Sequence, residues 1–528
     1  MNPIPIRPFG ARRVWAPTGA EASAFDRFAI DNQGVPQETL MECAGRSAAH
    51  VLELIFPRGE VVAFIGTGNN GGDGLVLLRT LRAWGRPVRA VLVGDGDVRE
   101  DLLHSWDVPL RSDADLLATD GGEPGEAVGR ADIVVDGILG TGIRGAPRSR
   151  QARAIQAINA SERAVFALDT PSGVDGDTGS IKGIAVAAQV TVAFGWPKLG
   201  TLLQPGRAKV GRLIAVEIGF PPVEEGLFGA VAVTPAWAME ALPARQPATH
   251  KNEVGSLLLV AGAAGMAGAA VMAARGALRA GVGLLRVVSA PENRSILQGA
   301  VPEAVFVPGN DAEAVKEAAQ ASSALALGPG LGDGDEACRL LMSVREVSEG
   351  LPTVLDADAL NCAASGEGPT VEQWATGRPV VITPHLGEMR RLSKMEADDI
   401  ERDRVSAARG LAESTGVTVL LKGLPSIVVP PEGVCRVDTV GTSDLASGGM
   451  GDVLTGVVGA FLAQGMSPSR AGALALYLTG RAAVRTEMGP ALTPSDVVDE
   501  MAAVWTEKGS GETDLLLPFI LFDQDAAR

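Results

Sequence analysis

Apolar residues near the start of the chain recur at helical spacing. Phe25, Phe28 and Ile30, then Leu40, Met41, Ala44, Ala48, Val51 and Leu52, predict helix over residues 21–56 with one face in a core. The pattern then changes. Val61, Val62, Ala63, Phe64 and Ile65 form an unbroken apolar run of strand length, a polar glycine-rich segment occupies residues 66–74, and helical spacing resumes over residues 75–84. The same succession returns twice: apolar residues 133–135 run into residues 136–145, and apolar residues 164–168 run into Asp169, Thr170, Pro171, Ser172 and Gly173. Repeated strand, loop and helix predicts an α/β fold whose parallel strands bring their C-terminal ends to one edge of a sheet.

Two proline-bearing stretches, residues 219–226 and 243–247, interrupt this alternation. Beyond them strands and helices alternate again and predict a second, mostly parallel sheet. The expected organisation is a domain over residues 1–228, a second over residues 229–508 and a tail over residues 509–528, whose apolar patch at 515–522 is either a packed end or an oligomer contact. Residues 254–274 hold no charge and are long enough to cross a bilayer. Gly255, Gly262, Gly265 and Gly268 nevertheless divide them into a strand at 256–261, a loop and a helix ending near residue 280.

Composition narrows the function classes. A chain of 528 residues exceeds one ordinary core, in keeping with two domains. Its formal net charge of -17 argues against a general nucleic-acid or anionic-membrane binder, so an anionic ligand is held by backbone amides and a few bases. Cys43, Cys338, Cys362 and Cys435 show no pair spacing. Neither a disulfide framework nor a zinc site is indicated, and a reducing cytoplasm is the expected compartment. No signal peptide is expected, because no apolar run follows a basic start.

The glycine-rich segments carry the candidate chemistry. Gly66, Gly68 and Gly71 fit the G-x-G-x-x-G spacing, and a dehydrogenase would take Asp95 as its ribose partner. That fingerprint does not require Asn69, Asn70 or Asp73, whose side chains point to contacts beyond a pyrophosphate. Asn70, Asp136 and Ser172 each follow a predicted strand, and converging on one sheet edge they offer hard oxygen ligands suited to an alkali or alkaline-earth cation rather than zinc. Taken singly, each is also an ordinary turn or cap residue. In the second half, Gly448, Gly449 and Gly451 lead into an apolar helical pattern and let backbone amides approach an anion at a helix start. Asp452 beside them is placed to take a proton from an attacking hydroxyl; the alternative is a simple helix cap.

These motifs also carry a resemblance. Residues 10–222, with the Leu-Met-Glu-Cys-Ala-Gly run at 40–45, the Asn-Asn-Gly-Gly-Asp-Gly run at 69–74, residues 136–145, residues 169–173 and Lys198, resemble the NAD(P)H-hydrate epimerase domain. The resemblance implies a Rossmann-like three-layer sandwich that interconverts the R and S hydrates at carbon 6 of damaged nicotinamide cofactors. It implies K⁺ on Asn70, Asp136 and Ser172. It places the hydrate on Asn69, Asn70, Gly71, Gly72, Asp73, Gly140, Thr141, Gly142, Ile143, Arg144, Gly145, Ala146 and Asp169. Epimerisation needs a proton shuttle and no redox partner, so Asp169 is the expected acid/base group, with Lys198 as its charge partner.

Residues 229–508 resemble the ADP- or ATP-dependent NAD(P)H-hydrate dehydratase, which has a ribokinase-like fold. The resemblance rests in order on residues 250–255, 268–270, 328–332, 355–360, 383–389, 420–423 and 441–456. It implies hydrate contacts from Ala269, Gly330, His385 and Asp452, and adenine-nucleotide contacts from Lys422, Gly423, Leu424, Pro425, Ser426 and Gly451, with Mg²⁺ accompanying the nucleotide. His385 also reads as a turn histidine, and Asp356 and Asp358 as strand-end turn residues, with metal contact as the alternative. Together the halves imply a bifunctional repair enzyme for NADHX and NADPHX, using ADP or ATP with a lean toward ADP. A homo-oligomer is expected, with no nucleic-acid or membrane partner. The competing expectation is a ribokinase-like small-molecule kinase behind a non-catalytic nucleotide-binding module.

Overall fold

The structure, a computed structural model, describes residues 13–94, 99–103, 106–112, 128–143, 145–245, 254–332, 334–506 and 519–522. Asp95, Arg144 and residues 250–253 and 515–518 lie outside the described residues. The chain forms two compact units, one running to Ala236 and taking in the strand Phe519–Phe522, the other beginning at Trp237. The break thus follows Ala236 rather than residue 228. The end of the chain does not stand apart, since Phe519–Phe522 pairs in parallel with Arg212–Val216 of the first unit.

The first unit is built on an eight-stranded parallel sheet ordered Phe519–Phe522, Arg212–Val216, Val190–Phe194, Ala164–Leu168, Ile133–Gly137, Val61–Ile65, Val88–Leu92, Leu110–Ser112. Alternate side chains enter separate cores. Val61, Ala63 and Ile65 pack on one face and Val62 and Phe64 on the other, so helices cover both faces and give the expected three layers.

Two local expectations change here. The helix predicted over residues 21–56 is two helices, Gly19–Asp31 and Gln37–Ile55. Gly34 takes φ +70°, and Pro36 caps the second helix from an extended conformation, so the chain cannot continue one helix through both. The helix expected from residue 75 already begins at Asn69. Its glycines had suggested a loop, but they serve close packing: a Cβ on Gly71 would lie 1.9 Å from the Gly66 carbonyl oxygen, and one on Gly72 would lie 2.6 Å from Met41.

The second unit carries strands ordered Val305–Pro308, Leu284–Ser289, Ser256–Val260, Ala324–Leu327, Thr353–Leu355, Val380–Ile382, Thr418–Leu421, Ile427–Val429, Cys435–Val437. They run parallel as far as Thr418–Leu421 and antiparallel after it. The uncharged stretch at 254–274 becomes the strand Ser256–Val260 and the start of the helix Ala267–Arg279. Among the described residues no helix is long and apolar enough to cross a membrane. The helix Met450–Ala463 packs against Ala267–Arg279 so closely that a Cβ on Gly456 would come within 1.9 Å of the Ala273 carbonyl oxygen.

The cysteine expectation needs correction. Cys338, on the helix Asp335–Val347, and Cys362, on the helix Asp358–Ser365, form a disulfide. Their separation of 24 residues carries no motif, and it is helix packing that brings the Cα atoms to 5.7 Å. Cys43 and Cys435 are free.

Candidate functional site

In the first unit the chain steps outward from Val61–Ile65 through Val88–Leu92, then returns to the opposite side as Ile133–Gly137. Ligands bind beyond such a reversal in open α/β sheets. A cavity of about 920 Å³ opens there, lined by the expected residues Asn69, Asn70, Asp73, Gly140, Thr141, Gly142, Ile143, Ala146 and Asp169. Lys198, Trp196 and Asp26 also line it. Gly71 and Gly72 do not; their role is the packing described above.

The three oxygen-bearing residues meet around residue 139. Asn70 Nδ2 donates to the Leu139 and Leu168 carbonyls at 2.8 and 3.3 Å. The Leu139 N–H donates to Ser172 Oγ at 2.9 Å. Ser172 in turn donates to Asp136 twice, from Oγ at 2.6 Å and from its N–H at 2.7 Å. Asp136 is fully buried, and burial pushes its carboxyl up to about 6 against the hydrogen bonds from Ser172 and Ile138. Asn70 Oδ1 is buried with no hydrogen-bond partner. An orphaned amide oxygen and a buried carboxylate, both tied to residues 138–139, form a donor set that fits a monovalent cation.

Nearby, Lys198 Nζ donates to Asp169 Oδ1 at 2.5 Å and to the Phe194 carbonyl at 2.8 Å. Asp169 Oδ1 also accepts the Phe194 N–H at 3.2 Å. The Asp169 backbone takes φ +61°, uncommon for a residue with a side chain and a mark of functional constraint. Asp73 is buried, and burial, reinforced by the charges of Asp169 and Asp26 and opposed by Lys198, pushes its carboxyl well above the usual range. Asp26 is pushed up to about 6 by burial, with Lys198 lowering and Asp169 raising it.

In the second unit the order reverses between Ser256–Val260 and Ala324–Leu327. Ala269 and Gly330 meet beyond that point: Gly330 has φ +59°, and a Cβ there would lie 2.8 Å from the Ala269 Cβ. On Met450–Ala463, capped by Gly449 at φ +91°, Gly451 and Asp452 stand in the first turn, where amides lack a carbonyl partner within the helix. A Cβ on Gly451 would lie 3.5 Å from Lys422 Nζ, so the lysine stands directly over the helix start.

Lys422 Nζ donates to Asp356 Oδ1 at 2.8 Å and lies 3.8 Å from Glu388, while Thr455 Oγ1 donates to Asp356 Oδ2 at 2.7 Å. Burial works against the Lys422 ammonium, but Asp356, Glu388 and Asp452 outweigh it and the net direction is up. Burial likewise opposes the Asp356 carboxylate, which Lys422 and Thr455 hold below its ordinary value. Asp452 behaves differently. Burial first, then Asp356 and Asp358, push it up to about 7 against Lys422.

Asp356 is therefore more than the strand-end turn residue expected, whereas Asp358 is of that kind, accepting the Gly332 N–H at 2.7 Å. His385 caps the helix Leu386–Ser393, its Nδ1 accepting the Gly387 and Glu388 N–H groups at 3.0 and 3.4 Å. Its turn reading is thus realised in the structure. Gly423 and Ser426 close the loop after Thr418–Leu421, Ser426 Oγ accepting the Gly423 N–H at 3.2 Å, and Leu424 at its tip is exposed. Asp26 was missed because no motif includes it. The available signal was a carboxylate at the core-facing spacing of Ala22, Phe25 and Ala29.

Residues 37–200 match the family described as YjeF-related protein N-terminus, and residues 257–502 match the family described as NAD(P)H-hydrate dehydratase. A bifunctional NAD(P)H-hydrate repair enzyme of Moorella thermoacetica is 35% identical over 509 residues, covering 91% of this chain and 95% of its own length. One of the same description from Salinibacter ruber is 35% identical over 528 residues, covering 93% and 96%. Among solved structures, the ADP/ATP-dependent NAD(P)H-hydrate dehydratase of Bacillus subtilis, co-crystallised with ATP/Mg²⁺, is 30% identical, covers 52% of this chain and 96% of that chain, and has a TM-score of 0.46.

Proposed function

The chain belongs to the bifunctional NAD(P)H-hydrate repair enzymes, and on that premise we propose how its residues divide the two activities. The epimerase half equilibrates the R and S hydrates, and the dehydratase half returns the S hydrate to NADH or NADPH. Membership sets aside the small-molecule kinase that would release a phosphorylated product.

In the epimerase cavity Asp169 moves a proton at the carbinolamine hydroxyl, with Lys198 holding its carboxylate in place. Asn69, Asp73 and residues 140–146 bind the hydrate. K⁺ is held by Asn70, Asp136 and Ser172, a reading supported by the unpartnered Asn70 Oδ1. When bound there, it would supply a positive charge opposite the buried Asp136 carboxylate.

In the dehydratase half the adenine nucleotide, ADP or ATP with its Mg²⁺, is a substrate held by Lys422, Gly423, Leu424, Pro425, Ser426 and Gly451. Asp452, with Ala269, Gly330 and His385 beside the hydrate, takes the proton of the hydroxyl as it attacks the terminal phosphoryl group. The first-turn amides of Met450–Ala463 and the Lys422 ammonium stabilise the charge that develops there. The phosphorylated oxygen then leaves as phosphate with the carbon–oxygen electron pair while the ring nitrogen's lone pair closes a carbon–nitrogen double bond. Loss of a proton from the neighbouring ring carbon forms the carbon–carbon double bond and returns the lone pair to nitrogen. One observation carries this assignment: Asp452, pushed by burial up to about 7, stands in the first turn of Met450–Ala463 with Lys422 over the helix start, a base matched to neutral pH beside amides suited to an anion.

Purified R hydrate supplied with ADP tests both halves. Absorbance of the reduced nicotinamide should recover fully, and without nucleotide the R hydrate should become a mixture of R and S. No recovery from R hydrate, with S hydrate supplied separately still converted, would remove the epimerase assignment. The proposal includes cytoplasmic action, where the cofactor pool is used, and a homo-oligomer, which a light-scattering mass of 54.2 kDa would remove.

A further inference from the structure

The cavity of the first unit holds a carboxyl that none of the motifs contains. Asp26 lies on the core-facing stripe of Gly19–Asp31, four residues after buried Ala22 and three before buried Ala29, where an amphipathic helix ordinarily carries an apolar side chain. It lines the cavity with Asp73, Asp169 and Lys198. Among the described residues no group donates a hydrogen bond to its carboxyl. The helix is anchored at its start, where the Ala20 N–H donates to Asp177 Oδ1 at 2.9 Å and the Gly19 N–H to the Gly176 carbonyl at 3.1 Å, so Asp26 is presented from a fixed element.

We propose that Asp26 is the second proton-carrying carboxyl of the epimerase, working with Asp169 on the hydroxyl of the hydrate's carbinolamine carbon. The inference rests on the epimerase reading of this unit. Loss and re-addition of water at that carbon uses a proton donor where the hydroxyl leaves and an acceptor where water adds, and two carboxyls in one cavity can supply both. In the step, one carboxyl in its acid form protonates the hydroxyl. The carbon–oxygen bond breaks with its electron pair leaving on water, and the ring nitrogen's lone pair closes a carbon–nitrogen double bond. Water then adds to the opposite face, the nitrogen regains its lone pair, and the partner carboxylate takes the released proton. One water leaves and one returns, and no oxidant or reductant enters.

The surroundings separate the candidates. Charged groups facing Asp26 are Lys198, Asp169 and, on its own helix, Arg27, with Asp73 across the cavity. Burial leaves Asp26 exchanging its proton at about 6, while Asp73, more deeply buried, is pushed well above its usual range.

Epimerisation of purified R hydrate by the full-length protein, without nucleotide and across a range of pH, tests the proposal. Wild-type kcat is expected to fall as pH rises through about 6, where Asp26 loses its proton. Asp26→Asn should lower kcat about 100-fold, leave KM within about twofold and abolish that fall, and Asp26→Glu should restore part of both. Dehydration of S hydrate, unchanged in both variants, confirms a folded second unit, and the retained KM for R hydrate confirms a folded first unit. A normal kcat and pH profile in Asp26→Asn overturns the proposal, as does an equal loss in both variants with the wild-type pH dependence kept. A wild-type protein that leaves R hydrate unchanged overturns the epimerase reading and the proposal with it, and this is seen before any variant is made.

Discussion

Each unit buries a lysine against an aspartate near the C-terminal end of a strand, Lys198 with Asp169 in the first and Lys422 with Asp356 in the second. The two pairs are put to opposite use. Asp169 keeps a face toward a cavity it shares with Asp26 and Asp73, so the paired carboxylate is itself in reach of a substrate. Asp356 has both oxygens taken, one by Lys422 and one by Thr455, and its side chain is only 2% exposed. It positions the lysine, and in the proposed mechanism the proton chemistry falls to Asp452, one helical turn before Thr455. A buried ion pair therefore does not mark the reacting carboxylate. The marker is spare hydrogen-bonding capacity facing a ligand, to which burial at Asp452 adds proton exchange near neutral pH.

The contrast breaks most visibly at Asp452. Asp452→Asn should lower dehydration of S hydrate about 1,000-fold while epimerisation stays intact. In wild type the dehydration rate should fall as pH drops through about 7, because Asp452 must be ionised to accept a proton. Retention of the rate in Asp452→Asn would move the base elsewhere. Asp169→Asn is expected to cost epimerisation about 100-fold with dehydration unaffected, and asparagine tolerates the left-handed backbone at this position, so the loss reads on chemistry.

Asp356→Asn sharpens the comparison from the stability side. It takes the nearest counter-charge from the Lys422 ammonium, leaving Glu388 at 3.8 Å, and should cost about 2 kcal/mol in urea unfolding, where a working but non-structural carboxylate would cost little. The smallest effect concerns the cation. K⁺ in place of Li⁺ should raise the melting temperature by about 2–4 °C, and Asp136→Asn should cancel the rise. Equal melting in both salts would take K⁺ away from Asn70, Asp136 and Ser172.

Much of this was legible without coordinates. Strands such as Val61–Ile65, the glycine-rich segments after them and the helix carrying Asp452 follow from spacing among neighbouring residues, which is local information. Two failures were local as well: Gly34 and Pro36 split a helix that periodicity had joined, and glycines at 71 and 72 that looked like loop residues lie within a helix. The larger gaps were not local. Asp26 and Asp169 are far apart along the chain, Cys338 and Cys362 share no motif, and the strand Phe519–Phe522 returns to the first unit.

By itself the sequence determined the class of fold, the two successive α/β units and the residues presented at their strand ends, because strand and helix periods and glycine conformations are properties of short stretches. Only the tertiary structure decided which carboxylates are sealed in ion pairs, which face a cavity and which are pushed toward neutral pH. Those outcomes depend on burial and on distances of a few ångströms between charges far apart in the chain, and a spacing pattern carries neither.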